Sequence, residues 1–186
     1  MQLETPRFIL RDFTGDDYAD FRDYQTDPRY RALYDIPMGD KTPGSDLFSL
    51  FLGWQEERPR INFQLGIFDK KDGSLCGCGG IRLRPEDPAT AVMGLELAPR
   101  CWGRYRLAIE AGERFAEFAF DDLGAHQILS DTSSGNTRIA KIAKHYGAVI
   151  IAERPGPEWM KARGWTEVDW CLSRDQWEAG ATQRGS

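Results

Sequence analysis

The sequence predicts one α/β domain, and three observations predict it. The chain has 186 residues, enough for one ordinary domain with a substantial core. Its 41% hydrophobic and 28% charged residues are the balance of a folded chain rather than of a disordered one. Strand-like runs and helically spaced apolar residues alternate along its length, and neither a linker-like shift in composition nor an internal repeat divides it. The expected domain therefore spans residues 1–186.

Taken in order, Phe8 to Phe13 reads as the first strand. Thr14-Gly15-Asp16-Asp17 offers capping oxygens ahead of Tyr18, Phe21 and Tyr24, which recur at helical spacing. From Pro28 to Gly53, prolines and glycines mixed with aromatics predict short helices and loops. Asn62 to Phe68 and Leu75 to Leu83 are strands joined through Asp72-Gly73, the signature of an antiparallel hairpin. Arg84 to Thr90 is expected to be a polar loop, and Val92 to Ala98 a strand stopped by Pro99. Leu107, Ala111, Phe115 and Phe118 then mark one face of a helix that starts at Tyr105, ends near Asp121 and is followed by Gly124. His126 to Asp131 predicts a strand, Asn136 to Tyr146 a helix capped by Gly147, and Val149 to Ala152 and Glu167 to Leu172 two last strands. Gln183 to Ser186 reads as a frayed tail.

Charge and composition exclude several functions. With 24 basic against 29 acidic residues the formal net charge is −5, so no general field draws nucleic acid or an anionic membrane. No apolar run approaches the roughly 20 residues of a membrane span, and the first residues lack the basic, then apolar, pattern of a signal peptide. Cys76 and Cys78, two apart on a strand, are expected to share a face and pack as small apolar residues rather than bind metal. The two histidines, His126 and His145, complete no ligand set at recognisable spacing. The expectation is a cytoplasmic, reduced, metal-free protein.

Chemistry concentrates between Leu95 and Arg106: a strand, a short loop containing Gly103, then a helix. A helix N-terminus presents unpaired N–H groups and a partial positive charge and so suits phosphate, and Arg104 and Arg106 add charge there. The stretch resembles motif A of the GNAT superfamily of acetyltransferases, whose pyrophosphate loop has the form Q/R-x-x-G-x-G/A; Arg100, Gly103 and Tyr105 stand at its defined positions. Other segments are similar to the branch containing the ribosomal-protein N-terminal acetyltransferases. They are the opening Leu3 to Arg11, the hairpin Asp69 to Gly80, Asn136 placed eleven residues before Gly147, and Val168 to Leu172 followed by Trp177.

This resemblance implies a mixed, mostly antiparallel sheet flanked by helices and splayed at the strand Val92–Ala98. It implies acetyl-CoA as cosubstrate, with pantetheine on the backbone of Leu95 to Leu97, pyrophosphate on the N–H groups of Gly103, Arg104, Tyr105, Arg106 and Leu107 near Arg100, and Asn136 beside the pantetheine. Glu96 is the candidate base, because alternation sets it opposite Leu95 and Leu97 and relatives carry acids on this strand; a solvated strand glutamate is the other reading. Asp131 and Ser134 are further options, His145 is expected on the surface and Tyr146 in the core. Arg29, Tyr30, Tyr34 and Asp35 form either an acceptor groove or a packed lid.

Two departures stand out. The loop Trp102-Gly103-Arg104-Tyr105-Arg106 lacks the family's second glycine, and a positive φ at Tyr105 would be costly. Ile139 and Ala143 occupy the helical face where relatives place a Ser or Tyr acid. The expected function is acetyl transfer from acetyl-CoA to a primary amine, either a protein N-terminus or a small molecule. The alternative is a non-catalytic module of the same fold that binds CoA or another ligand. Trp54, Trp159, Trp165 and Trp177 belong either to a homodimer interface or to the core.

Overall fold

The structure is a computed structural model and describes residues 1–33 and 44–184. Tyr34 and Asp35 therefore lie outside the described residues. Eight strands form one sheet in the order β1-β2-β3-β4-β5-β6-β8-β7. The chain groups into two compact units: Met1–Arg82 with Leu95–Phe115, and Leu83–Gly94 with Ala116–Ser186. All three divisions fall inside regular elements, which is why no shift in composition announces them.

In the first unit, β1 (Gln2–Glu4) pairs antiparallel with β2 (Phe8–Asp12), a strand one residue shorter than expected. A 3₁₀ turn at Gly15–Asp17 leads into α1 (Tyr18–Thr26); Asp17 accepts from the Thr14 N–H at 2.7 Å and is paired with Arg11 at 2.8 Å. Two helices follow, α2 (Pro28–Arg31), capped by Asp27 on the Arg29 N–H, and α3 (Ser45–Trp54). The predicted hairpin is present as β3 (Asn62–Asp69) and β4 (Leu75–Arg84). At its turn Gly73 has φ +73° and donates to the Asp69 carbonyl at 2.8 Å, a conformation few other residues adopt cheaply.

Phe13 sits amid the core of this unit, with the rings of Phe21, Phe48, Phe51 and Phe68 between 5.2 and 6.3 Å away. Such edge-to-face and offset contacts suit aromatic rings.

The expected loop at Arg84–Thr90 is corrected. Strand β5 runs from Asp87 to Leu97, separated from β4 by Pro85 and Glu86 alone. Pro88 misled because it removes a ladder donor, yet it sits at the exposed start of the strand, where that loss is tolerated. After β5, a 3₁₀ turn at Pro99–Cys101 precedes α4 (Tyr105–Glu117), which continues as a π turn through Phe118–Asp122.

In the second unit, β5 pairs in parallel with β6 (Gln127–Ser133) from Thr90↔Gln127 to Val92↔Leu129. Next come α5 (Thr137–His145), β7 (Val149–Pro155), α6 (Glu158–Lys161) and β8 (Thr166–Ser173). Strand β8 lies antiparallel between β6 and β7. The tail expectation is also corrected in part: Gln183 and Arg184 belong to α7 (Arg174–Arg184). Its first residue, Arg174, donates to the carbonyls of Phe120 and Ala125, and Trp177 packs at 5.9 Å from Phe120 and 5.7 Å from Tyr146. Trp177 is thus core.

Two expectations about strain and pairing can be read directly. Among the described residues only glycines have positive φ, so the chain turns at Gly103 (φ +81°) and Tyr105 is already helical. The cysteines do not behave as an alternating pair, because the β3–β4 register shifts as Ile67 pairs Gly77 and Phe68 pairs Leu75, leaving Cys76 as the extra residue. Both are buried, but Cys78 meets Tyr24 and Glu96 while Cys76 hydrogen-bonds Cys101.

Two consequences follow for stability. A Cβ at Gly77 would lie 2.2 Å from the Glu96 carbonyl oxygen and 2.7 Å from Leu97 Cα, both backbone atoms, and φ there is +143°. Gly77→Ala should therefore destabilise by about 2–4 kcal/mol in denaturant unfolding, whereas Gly103→Ala, with open space around its Cβ, should cost about 1 kcal/mol. The second consequence concerns acid. Burial would raise the Asp17 carboxyl, but its bonds to Arg11 and Thr14 prevail and hold it below the usual carboxylate range. A depressed folded value stabilises above the unfolded value of about 3.9 and is lost as pH falls through the folded one. The Tm gap between the parent and Asp17→Asn should accordingly be full at pH 7 and close as pH falls below about 4.

Candidate active site

Strand β5 presents Glu96 near its end, half-buried, and four side chains from elsewhere in the first unit converge on it. Its Oε1 accepts from the Tyr24 hydroxyl at 2.6 Å, Gln25 Nε2 at 3.2 Å and Cys78 Sγ at 3.3 Å. Its Oε2 accepts from the Tyr30 hydroxyl at 2.7 Å. Gln25 also donates to the Tyr30 oxygen at 2.9 Å, and Gln64 to Cys78 Sγ at 3.3 Å. Helical spacing explains part of this arrangement. On α1 the face that buries Phe21 also carries Tyr24, so its ring lies in the core while its hydroxyl reaches the strand.

The protonation states suit donors around an anion. Burial, with Cys78 and Glu96 adding to it, pushes the Tyr24 phenol well above its ordinary value. Burial and the neighbouring Glu96 push the Cys78 thiol up likewise. Both remain protonated at neutral pH. Four hydrogen bonds hold the Glu96 carboxyl in one orientation, so it is not a solvated strand glutamate.

Just beyond Glu96 the chain makes the Gly103 loop. Trp102 Nε1 donates to the Leu97 carbonyl at 2.7 Å, the Ala98 N–H to the Cys76 carbonyl at 2.8 Å, and Arg100 to the Leu75 carbonyl. These bonds tie the loop to β4 and β5. The Leu107 N–H donates to the Arg104 carbonyl at 2.9 Å, so of the expected phosphate donors this one is already engaged within the helix turn. Arg104 and Arg106 are exposed beside it. Cys101 is held down to about 7, first by its hydrogen bond with Cys76, with Arg100 and Arg104 adding in the same direction, and Cys76 is pushed up.

The remaining expected residues take other places. Asn136 is the N-cap of α5, its side chain accepting from the Ile139 N–H at 3.5 Å. Asp131 is exposed opposite Asp169, and the Ser134 hydroxyl accepts from the Thr166 N–H at 2.9 Å. His145 is exposed and Tyr146 buried, as expected. Arg29 is exposed and paired with Asp27 at 2.7 Å, whereas Tyr30 is buried, so within the described part of that segment the packed reading holds for Tyr30. Trp159 and Trp165 meet at 6.4 Å, each 5.2 Å from the Arg163 guanidinium. Tyr24, Gln25 and Cys78 were not foreseen as partners of Glu96. The local signal was only that a helix core face carried polar tips, and nothing in the spacing connects residue 24 to residue 96.

Among the described residues no group of three or more His, Cys, Asp or Glu could hold a metal ion. None of the described helices is long and apolar enough to cross a membrane.

Comparison with known proteins bears on the family and the fold. Residues 7–149 match the family described as an acetyltransferase (GNAT) domain. No match is found among curated proteins. A GNAT-family acetyltransferase from Bacillus anthracis superposes with a TM-score of 0.73 at 18% identity, over 94% of this chain and 99% of that one. An acetyltransferase from Agrobacterium tumefaciens gives 0.71 at 24% identity, over 94% and 95%. A Vibrio cholerae structure assigned as a ribosomal-protein-serine acetyltransferase gives 0.72 at 17% identity, over 93% and 97%. At these identities the superpositions speak for the fold alone. The family match, covering most of the chain, carries the classification: the chain belongs to the GNAT acetyltransferases.

Proposed function

We propose that the chain is an N-acetyltransferase that moves an acetyl group from acetyl-CoA to a primary amine, a protein N-terminus or a small-molecule amine, with Glu96 as the base. The observation that carries this reading is the Glu96 carboxylate, held by four donors immediately before a glycine loop and a helix N-terminus. The similarity to the ribosomal-protein N-terminal acetyltransferases, at its opening segment and hairpin, supports a protein α-amine among the acceptors.

The residues present suit the cosubstrate. Gly103 has open space where a side chain would be, and Arg104 and Arg106 supply charge for a pyrophosphate. The backbone of Leu95 and Leu97 lies past the last β5–β6 ladder pair at Val92, which leaves it for the pantetheine arm.

The chemistry asks little more of the protein. The neutral amine attacks the thioester carbonyl, the C–N bond forms, the C–S bond breaks, and the nitrogen's proton passes to Glu96. The thiolate takes up a proton afterwards; a thiol of ordinary pKa about 8.5 leaves without a strong acid. Holding the two reactants in line lowers much of the remaining barrier. Tyr24, Tyr30 and Gln25 are positioning residues that fix the carboxylate.

A second reading, a binding module without turnover, is favoured by Ile139 and Ala143 on the face of α5 where relatives place an acid. Thiol release separates the two. With acetyl-CoA and a panel of amines and N-terminal peptides, the parent should release CoA above background, and Glu96→Gln should lose about 100-fold in kcat with acetyl-CoA affinity unchanged by calorimetry. Tyr30→Phe should lower kcat about tenfold and distort its pH profile, again without changing affinity. Micromolar binding with no release from any amine would instead establish the module. The joint change Arg104→Ala with Arg106→Ala should weaken acetyl-CoA binding by about tenfold and flatten its dependence on salt, while kcat at saturation stays within twofold or so.

A further inference from the structure

We propose that Cys76 and Cys101 are a redox-active dithiol, which a small hydroperoxide oxidises to a disulfide tying β4 to the turn that leads into the Gly103 loop. Both residues belong to the first unit. In the β3–β4 ladder Cys76 is the residue passed over between Leu75 and Gly77, and its backbone meets the Pro99–Cys101 turn instead. Its carbonyl accepts from the Ala98 N–H at 2.8 Å, and the Ala98 carbonyl accepts from the Cys101 N–H at 2.8 Å. Arg100 donates to the Leu75 carbonyl, so the residues just before the two cysteines are joined as well. With the main chain fastened at these points, the two thiols hydrogen-bond each other.

The other cysteines are placed differently. Cys78 donates to Glu96 at 3.3 Å and Cys171 to Gln127 at 3.5 Å, each a thiol on an oxygen. Cys76 and Cys101 set sulfur against sulfur, and closing from that contact to a bond of about 2 Å makes the disulfide.

The pair also divides the two roles such a reaction needs. The hydrogen bond from Cys76, with Arg100 and Arg104 adding to it, holds Cys101 at about 7 against burial and Asp69, while Cys76 is pushed up and keeps its proton. The Cys101 thiolate is therefore the nucleophile. It attacks one oxygen of the hydroperoxide; the S–O bond forms, the O–O bond breaks, and the departing oxygen takes a proton from solvent. The Cys76 sulfur then attacks the resulting sulfenic acid. The S–S bond forms, the S–O bond breaks, and the Cys76 proton leaves with the hydroxide as water. The two thiols lose two electrons, and the peroxide is reduced by two. With Cys76 only 3% and Cys101 4% exposed, the site suits a small oxidant rather than a bulky disulfide.

Mass spectrometry of the intact chain treated with hydrogen peroxide tests this without reference to acetyl transfer. The parent should lose the mass of two hydrogen atoms, regain it with dithiothreitol, and yield one crosslinked peptide joining Cys76 to Cys101. The initial rate should be about tenfold higher at pH 8 than at pH 6, following the thiolate share of a group near 7. Cys76→Ser should stop at a Cys101 sulfenic acid that a cyclic dione captures, Cys101→Ser should give neither product, and Cys171→Ser should behave as the parent. Parent thiols that stay reduced, a crosslink between other cysteines, or a crosslinking rate indifferent to Cys101→Ser would overturn the proposal.

Discussion

A carboxylate taken partly out of water must be met by donors, and in this chain that requirement organises the first unit. Removing such a group from solvent costs several kcal/mol unless hydrogen bonds replace the lost water. Glu96 obtains them from α1, α2 and β4 together, so its position on β5 is comfortable only when those three elements are in place. The same residues are also apolar core. The Tyr24 ring lies 5.3 Å from Phe21 and 5.4 Å from Tyr30, within the cluster that includes Phe13, Phe48 and Phe51. Hydrophobic packing sets the phenols, and the phenols set the carboxylate. A site built this way keeps its geometry without a ligand, which reduces the ordering that binding must supply.

The strand that carries Glu96 is held as tightly from its other side. The close approach at Gly77, together with the bond from the Ala98 N–H to the Cys76 carbonyl, fixes where β5 ends. Trp102 and Arg100 then bind carbonyls of β5 and β4 and set the path into the Gly103 turn. The missing second glycine is absorbed here. One positive φ at Gly103 accomplishes the reversal, α4 begins at Tyr105, and no side-chain-bearing residue of the described chain is forced into the left-handed region. Charge from Arg104 and Arg106 then stands where a glycine-rich loop would have relied on backbone alone.

What could be read from the sequence was local. The Asp72-Gly73 turn, the capping oxygens before Tyr18, the apolar face from Leu107 to Phe118 and the cap at Gly147 each depend on a few adjacent residues, and each is present. What escaped depends on distant partners. Strand β1 is only three residues long and exists because β2 pairs with it. The start of β5 reads as loop because Pro88 suppresses strand propensity, yet the turn at Pro85-Glu86 returns the chain beside β4. Helix α7 has weak amphipathic patterning and is anchored by Arg174 and Trp177 on a part of the chain some fifty residues away. At the site, Glu96 itself was legible from alternation on its strand. Its four donors were not, because no periodicity links residues separated by 18 to 72 positions. Cys76 and Cys78 are both buried, as their expected packing requires, but a bulge visible only in the pairing with β3 breaks the alternation by which they were expected to share a face.

The departures from the family pattern also bear on which amines the proposed reaction would favour. With Ile139 and Ala143 in place of a hydroxyl acid, the proposed machinery has one proton-handling group, a carboxylate whose oxygens are already engaged. Such a site is best served by an acceptor that arrives largely neutral. An α-amino group, with a pKa near 7.8, is roughly one-tenth neutral or more at pH 7, whereas a lysine-like alkylamine near 10.4 is neutral to only a few parts in ten thousand. The difference amounts to a factor of several hundred in competent acceptor before any contact is made. A base of limited capacity, a leaving thiol that needs no strong acid, and a preformed carboxylate cradle therefore fit α-amine chemistry better than alkylamine chemistry. The same arithmetic makes the second reading coherent: were the acceptor held protonated, the site that now orients Glu96 would bind its ligand and stop there.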